Sequence, residues 1–243
     1  MATRLVDIVV DAADPVPLAR FWADLLGWRV EHVAEDQVTV RATDIPGSTL
    51  KLTFVPVADA KAGKNRVHLD LASTSAAHQR DLVERAGRLG AEPADIGQRR
   101  ELPWVVLADP QGNEFCVLEP RPVYQHTGAL AAVVVDAVRP GALAEFWAGA
   151  TGWAVVDSQA EFASVRPSSG VGPWLEFVAD SGAKRGKNRV HLDLAPTPGG
   201  DLAAEVDRLC ALGAVPVDIG QGAVSWRVLA DPEGNEFCVL TPR

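Results

Sequence analysis

The 243-residue sequence has no cluster of Lys and Arg long enough to make a basic patch, no apolar run long enough to span a bilayer, and few cysteines. Its 23 Lys and Arg stand against 32 Asp and Glu, and the resulting net charge of −9 gives a surface that repels phosphate backbones and anionic lipid. Nucleic acid and membrane surfaces are therefore not expected partners. Only a short apolar run precedes Asp11 and Asp14, which is neither a secretory h-region nor a spanning helix, so the expected location is the cytoplasm. Cys116, Cys210 and Cys238 are odd in number and lack framework spacing, as expected of reduced thiols. What the chain does have is apolar residues, 47% of the total, enough to bury a real core.

The strongest feature is a repeat. The string Lys-Asn-Arg-Val-His-Leu-Asp-Leu-Ala at residues 64–72 recurs unchanged at 187–195, and Leu-Ala-Asp-Pro-x-Gly-Asn-Glu-Phe-Cys-Val-Leu at 107–118 recurs at 229–240. Phe21-Trp22 and Gly27-Trp28 return as Phe146-Trp147 and Gly152-Trp153. Similarity therefore runs along the whole chain, which divides into residues 1–122 and 129–243, joined by a short linker at 123–128.

Within each half the periodicity changes in a fixed order. Residues 5–10 are a β-branched run that reads as a buried strand. Asp14 is placed to cap a helix that has Pro15 first; Leu18, Phe21, Trp22 and Leu25 follow at i, i+3, i+4 and i+7, and Gly27 ends it. Short β-prone stretches follow near Val30, at 38–40 and at 50–57. The order then repeats, with a strand at 66–71, a helix carrying Leu82, Val83, Ala86 and Leu89, and strands near Ile96, at 104–107 and at 115–118. The fold class is α+β, built from four βαβββ units.

Two βαβββ units per half, an opening strand that runs into Asp14-Pro15, and an Asp109-Pro-x-Gly112 turn before the last strand resemble the vicinal oxygen chelate superfamily of glyoxalases, bleomycin-resistance proteins and dioxygenases. The His68-Leu-Asp-Leu and Asn113-Glu-Phe-Cys strings resemble its glyoxalase-like branch in actinobacteria. The resemblance implies two tandem domains with curled mixed sheets around ligand cavities. It also implies that one chain holds the domain pair that shorter relatives obtain by dimerising, so the protein is expected to be a monomer with pseudo-dimeric halves or a homodimer.

In metal-dependent members of that superfamily, four cavity-facing strand positions carry His, Gln or Glu. Here the resemblance places them at Asp7, Lys51 or Thr53, His68 and Cys116 in the first half, and at Ala132, Glu176, His191 and Cys238 in the second. Neither half keeps a full set, so no residue is assigned to a metal and no cofactor is expected, a divalent metal being the less favoured alternative. His68 and His191 alternate with Asp70 and Asp193 on one strand face, which suits either a polar contact on the cavity floor or a histidine hydrogen-bonded within the sheet. Cys116 and Cys238 occupy former ligand positions and read more readily as small buried hydrophobes than as nucleophiles. Trp104, Trp174 and Trp226 fall on strands that suit an aromatic wall.

The expected function is the binding or sequestration of a small apolar or aromatic molecule, with Asp7, His68, Trp104, Cys116, Trp174, Trp226 and Cys238 as contacts. The alternative is an enzyme: a metal-dependent lyase, isomerase or dioxygenase, or a metal-free catalyst using Glu176 and His191 as an acid/base pair in the second half.

Overall fold

The structure, a computed structural model, describes residues 3–98, 102–182 and 184–243. The first unit comprises β1 (Arg4–Ala12), α1 (Pro15–Leu26), β2 (Arg29–Val33), β3 (Val38–Arg41) and β4 (Lys51–Pro56). The second comprises β5 (Val67–Leu71), α2 (Ala76–Arg88), β6 (Glu92–Pro93), β7 (Val105–Ala108) and β8 (Glu114–Val117). After a 3₁₀ turn at Pro122–Tyr124 come β9 (Leu130–Ala137), α3 (Pro140–Thr151), β10 (Ala154–Ser158), β11 (Phe162–Arg166) and β12 (Trp174–Ala179). The last unit comprises β13 (Val190–Ala195), α4 (Leu202–Ala211), β14 (Val215–Pro216), β15 (Arg227–Ala230) and β16 (Glu236–Val239). The four βαβββ units are present as expected.

Local chemistry explains the helix ends. Pro15 and Pro140 start α1 and α3, where a missing N–H costs nothing, and Gly27 and Gly152 end them at φ of 69° and 72°. Two details differ from the sequence reading. Asp14 occupies the N-cap of α1, but its side chain makes no capping bond. The strand expected near Ile96 forms instead at Glu92–Pro93, where β7 supplies a partner, and Ile96 lies outside it.

The units pair across the repeat. The first sheet runs β14-β15-β16-β13-β1-β4-β3-β2, joining the first unit to the last, and the second runs β10-β11-β12-β9-β5-β8-β7-β6, joining the two middle units. Each is mixed: β1 lies parallel to β4 and antiparallel to β13, and β9 lies parallel to β12 and antiparallel to β5. Neither half is therefore a self-contained sheet.

Alternation sends one face of each sheet into a common core. Ile8, Val10, Leu52, Phe54, Leu192 and Phe237 leave the first sheet on that side, and Leu69, Phe115, Val133 and Phe177 leave the second. The helices fill the space between. Trp22 of α1, which packs on β3 and β4 of the first sheet, also meets Phe115 of the second edge-on at 5.1 Å, and Trp147 meets Phe237 at 5.2 Å.

The repeated Lys-Asn-Arg string works as a reciprocal clasp between the halves. The Arg66 guanidinium donates to the carbonyls of Asp136 and Gly182, both at 2.8 Å, and Arg189 donates to those of Asp11 and Asp59 at 2.8 Å. Lys64 reaches Asp136 and Asp180, and Lys187 reaches Asp11. Each copy of the string holds the opposite half.

Candidate functional site

The face of each sheet turned away from the helices carries the polar residues. On the first sheet, alternation from Ile8, Leu52, Leu192 and Phe237 leaves Asp7, Thr53, His191, Asp193 and Cys238 on that face. The register makes them neighbours: Asp7 lies opposite Asp193, Val9 is flanked by His191 and Thr53, and Asp193 lies beside Cys238. Asp7 and Thr53 come from the first half, and His191, Asp193 and Cys238 from the second.

Thr53 donates its hydroxyl to Asp7 Oδ2 at 2.6 Å, and Lys51 Nζ stands 3.7 Å from the same oxygen. Burial pushes the Asp7 carboxyl up to about 6 despite both neighbours. Burial, with the nearby charge of Asp7, takes Asp193 up to about 7. Burial also holds His191 down at about 3, so its ring is neutral at ordinary pH. Its Nε2 stands 3.5 Å from Asp193 Oδ1, which for a neutral ring is neither an ion pair nor a hydrogen bond. Asp7 Oδ1, His191 Nδ1 and Asp193 Oδ1 are all buried without a hydrogen-bond partner among the described residues. Burial and Asp193 push the Cys238 thiol upward, so it is a protonated donor.

The corresponding face of the second sheet carries Trp174, Glu176, Ala132, Val134, His68, Asp70 and Cys116, with Asp70 opposite Ala132 and beside Cys116. His68 Nε2 stands 3.5 Å from Asp70 Oδ1, and burial keeps this imidazole neutral too, at about 4. Burial, then the charge of Glu176, raises Asp70 to about 7. This face is not bare. Tyr124 of the 3₁₀ turn donates its hydroxyl to Glu176 Oε1 at 2.7 Å and joins a buried cluster with Cys116, Ala132, Val134 and Trp174, against which Trp104 packs.

The topology separates the residues expected to act together. Glu176 and His191 are consecutive in element order, but β12 belongs to the second sheet and β13 returns to pair with β1 in the first. They do not form an acid/base pair; Glu176 meets Tyr124, and His191 joins Asp7 and Asp193. Trp174 begins β12 on the second sheet. Trp104 and Trp226 precede β7 and β15 and do not lie within them, and Trp104 bonds Gln98 at 3.0 Å through its indole N–H. Sequence reading missed Asp70 and Asp193 as donors, although their alternation with the histidines was the available signal. It also missed Tyr124, in the segment taken as linker, and Arg121 just before it; the chain's single tyrosine was the clue.

Each face holds a three-donor group, His68–Asp70–Cys116 and His191–Asp193–Cys238, whose ligand atoms lie within 4.8 Å of one another. A neutral imidazole, a carboxylate oxygen without a partner and a sulfur suit a borderline divalent cation such as zinc.

A family model described as a glyoxalase-like domain matches residues 7–118 and again residues 132–240. The chain belongs to the glyoxalase-like domain family. Among solved structures, glyoxalase I from Zea mays aligns over 99% of this chain and 92% of its own, with 15% identity and a TM-score of 0.67. A Bacillus subtilis protein described as a candidate dioxygenase aligns over 99% and 86%, with 16% identity and a TM-score of 0.65. At these identities the likeness establishes the tandem fold. No curated protein sequence matches the chain at a significant level. No helix among the described residues is long and apolar enough to cross a membrane.

Proposed function

We propose that this chain is a small-molecule-binding protein that holds a polar organic ligand against the helix-free face of its first sheet. The observation that carries this reading is that Asp7 Oδ1, His191 Nδ1 and Asp193 Oδ1, on neighbouring positions of one sheet face, are three buried polar atoms with no hydrogen-bond partner among the described residues. Leaving such atoms unpaired costs about 1–3 kcal/mol each, a cost that a ligand offering hydrogen-bond donors and acceptors removes. The polar floor modifies the expectation of an apolar ligand, for Lys51, Asp7 and Thr53 stand where the second sheet has Trp174, Ala132 and Glu176.

A thermal-shift screen of small hydroxy acids, amides and amines tests the reading. At least one compound raises the melting temperature of the wild type, and the shift disappears in Asp7→Asn and His191→Ala but survives in His68→Ala. A shift abolished only by His68→Ala or Glu176→Gln moves the site to the second sheet and refutes the assignment.

The His–Asp–Cys groups favour a second reading, a metal-dependent enzyme. His191, Asp193 and Cys238 would hold the ion, which when bound supplies Lewis-acid polarisation of a substrate oxygen. Asp7, fixed by Thr53, would then orient the substrate or hold a proton beside it. Metal analysis of protein purified from cells separates the two. The binding reading expects well under one first-row metal ion per chain, whereas about one ion per chain, lost on replacing His191 or His68, establishes the enzyme reading.

A further inference from the structure

We propose that Tyr124 is an internal ligand: the second sheet carries a phenol-binding site that the chain fills with its own interdomain turn. The phenol ring meets every contact expected of a bound aryl alcohol. Its hydroxyl donates to Glu176 Oε1 at 2.7 Å, inside the buried face. Its ring meets Trp174 edge-on, with centroids 6.3 Å apart and planes at 89°. The Arg121 guanidinium lies 5.9 Å from the Tyr124 ring centre and 5.7 Å from that of Trp104, capping both. Ala132, Val134 and Cys116, small or slender side chains, belong to the same buried cluster as the ring.

The comparison between sheets supports the assignment. Where the second sheet has Ala132, Trp174 and Glu176, the first has Asp7, Lys51 and Thr53, and there the carboxylate is already bonded to Thr53 and approached by an ammonium. An aromatic ring suits one floor and not the other. The turn that delivers Tyr124 is itself built for placement: Tyr124 N–H bonds the Arg121 carbonyl at 3.1 Å, and Thr127 Oγ1 bonds the Tyr124 carbonyl at 2.9 Å. A cleft of about 670 Å³, lined in part by Ser73, His78, Arg121 and Tyr124, opens beside the turn.

Removing the tyrosine ring should leave a phenol-shaped cavity that an added phenol refills, as apolar ligands refill engineered cavities. The test titrates p-cresol and toluene into the full-length wild type, Tyr124→Ala, and Tyr124→Ala combined with Glu176→Gln, following Trp emission and melting temperature. Wild type should not respond. Tyr124→Ala should melt lower, recover with p-cresol, and prefer p-cresol over toluene by about tenfold or more, the loss expected for one charge-assisted hydrogen bond. Adding Glu176→Gln should shrink that preference. A folded Tyr124→Ala that binds neither compound, or does not distinguish them, overturns the proposal. If Tyr124→Ala does not fold unaided, folding restored by p-cresol supports it. A chain that stays unfolded in saturating p-cresol while Tyr124→Phe folds contradicts it.

Discussion

Asp7 is a carboxyl group whose environment opposes its charge, and that has a measurable sign. Its folded pKa of about 6 lies above the ordinary 3.8, so the folded state holds the proton more tightly than the unfolded chain. The stability this contributes is complete below pH 4 and is lost as pH rises to about 6, amounting to as much as about 3 kcal/mol. Urea unfolding at pH 4, 5, 6 and 7 should show Asp7→Asn gaining on the wild type across that window and staying level above it. A pH-independent difference would mean that the carboxyl is not strained by burial. The thiols carry a second prediction. Burial, then the neighbouring Asp70 and Asp193, pushes the Cys116 and Cys238 thiols upward, whereas Cys210 is half-buried on α4. Ellman's reagent at pH 8 should label Cys210 first in native protein and reach the other two only on unfolding. Fast labelling of Cys238 would restore it as a nucleophile.

Among the elements, the Asp-Pro-x-Gly-Asn turns do more than reverse the chain. Asp109 accepts from the backbone N–H groups of Gln111 and Asn113, from the Asn113 amide and from the Trp22 indole, so it ties the turn to α1; Asp231 does the same with Glu233, Asn235 and Trp147. Asp109→Ala leaves several buried donors unpaired and should cost about 2–4 kcal/mol in urea unfolding. A loss under 0.5 kcal/mol would show that water replaces the carboxylate. Elements of this kind were largely legible in the sequence: Pro15, Gly27 and the 3.6-residue spacing of Leu18, Trp22 and Leu25 are local signals. Ile96 misled because a strand of two residues is set by its partner β7 and not by its own β propensity. Tyr124 escaped notice because a polar, Pro-containing connector reads as solvated, and the one clue, that it holds the chain's single tyrosine, does not say that the ring turns inward.

Across the whole molecule, local periodicity carries no information about which unit pairs with which. Residues 174–179 and 190–195 are both apolar, alternating strands, yet one completes the second sheet and the other closes the first. The candidate site was therefore legible residue by residue and not as an assembly. His191, Asp7 and Cys238 were recognised, but Glu176 was placed beside His191 because both lie in the same half. The crossed pairing also governs folding: fragments 1–122 and 129–243 each expose the strand edges, at β1 and β5 or at β9 and β13, that the other covers. Mixed in equal amounts they should form a stable complex whose melting temperature exceeds that of either alone, as read by circular dichroism and sedimentation. Two fragments that fold as independent monomers and ignore each other would contradict the composite sheets.

The central claim is that the site is divided by sheet and not by half, and a double-mutant cycle on unfolding free energy tests it most directly. Asp7→Asn and Asp193→Asn, from opposite halves but opposed across β1 and β13, should be coupled by at least about 0.5 kcal/mol, whereas Glu176→Gln and Asp193→Asn, from the same half, should add within about 0.5 kcal/mol. Coupling between Glu176 and Asp193, with additivity between Asp7 and Asp193, would contradict the account.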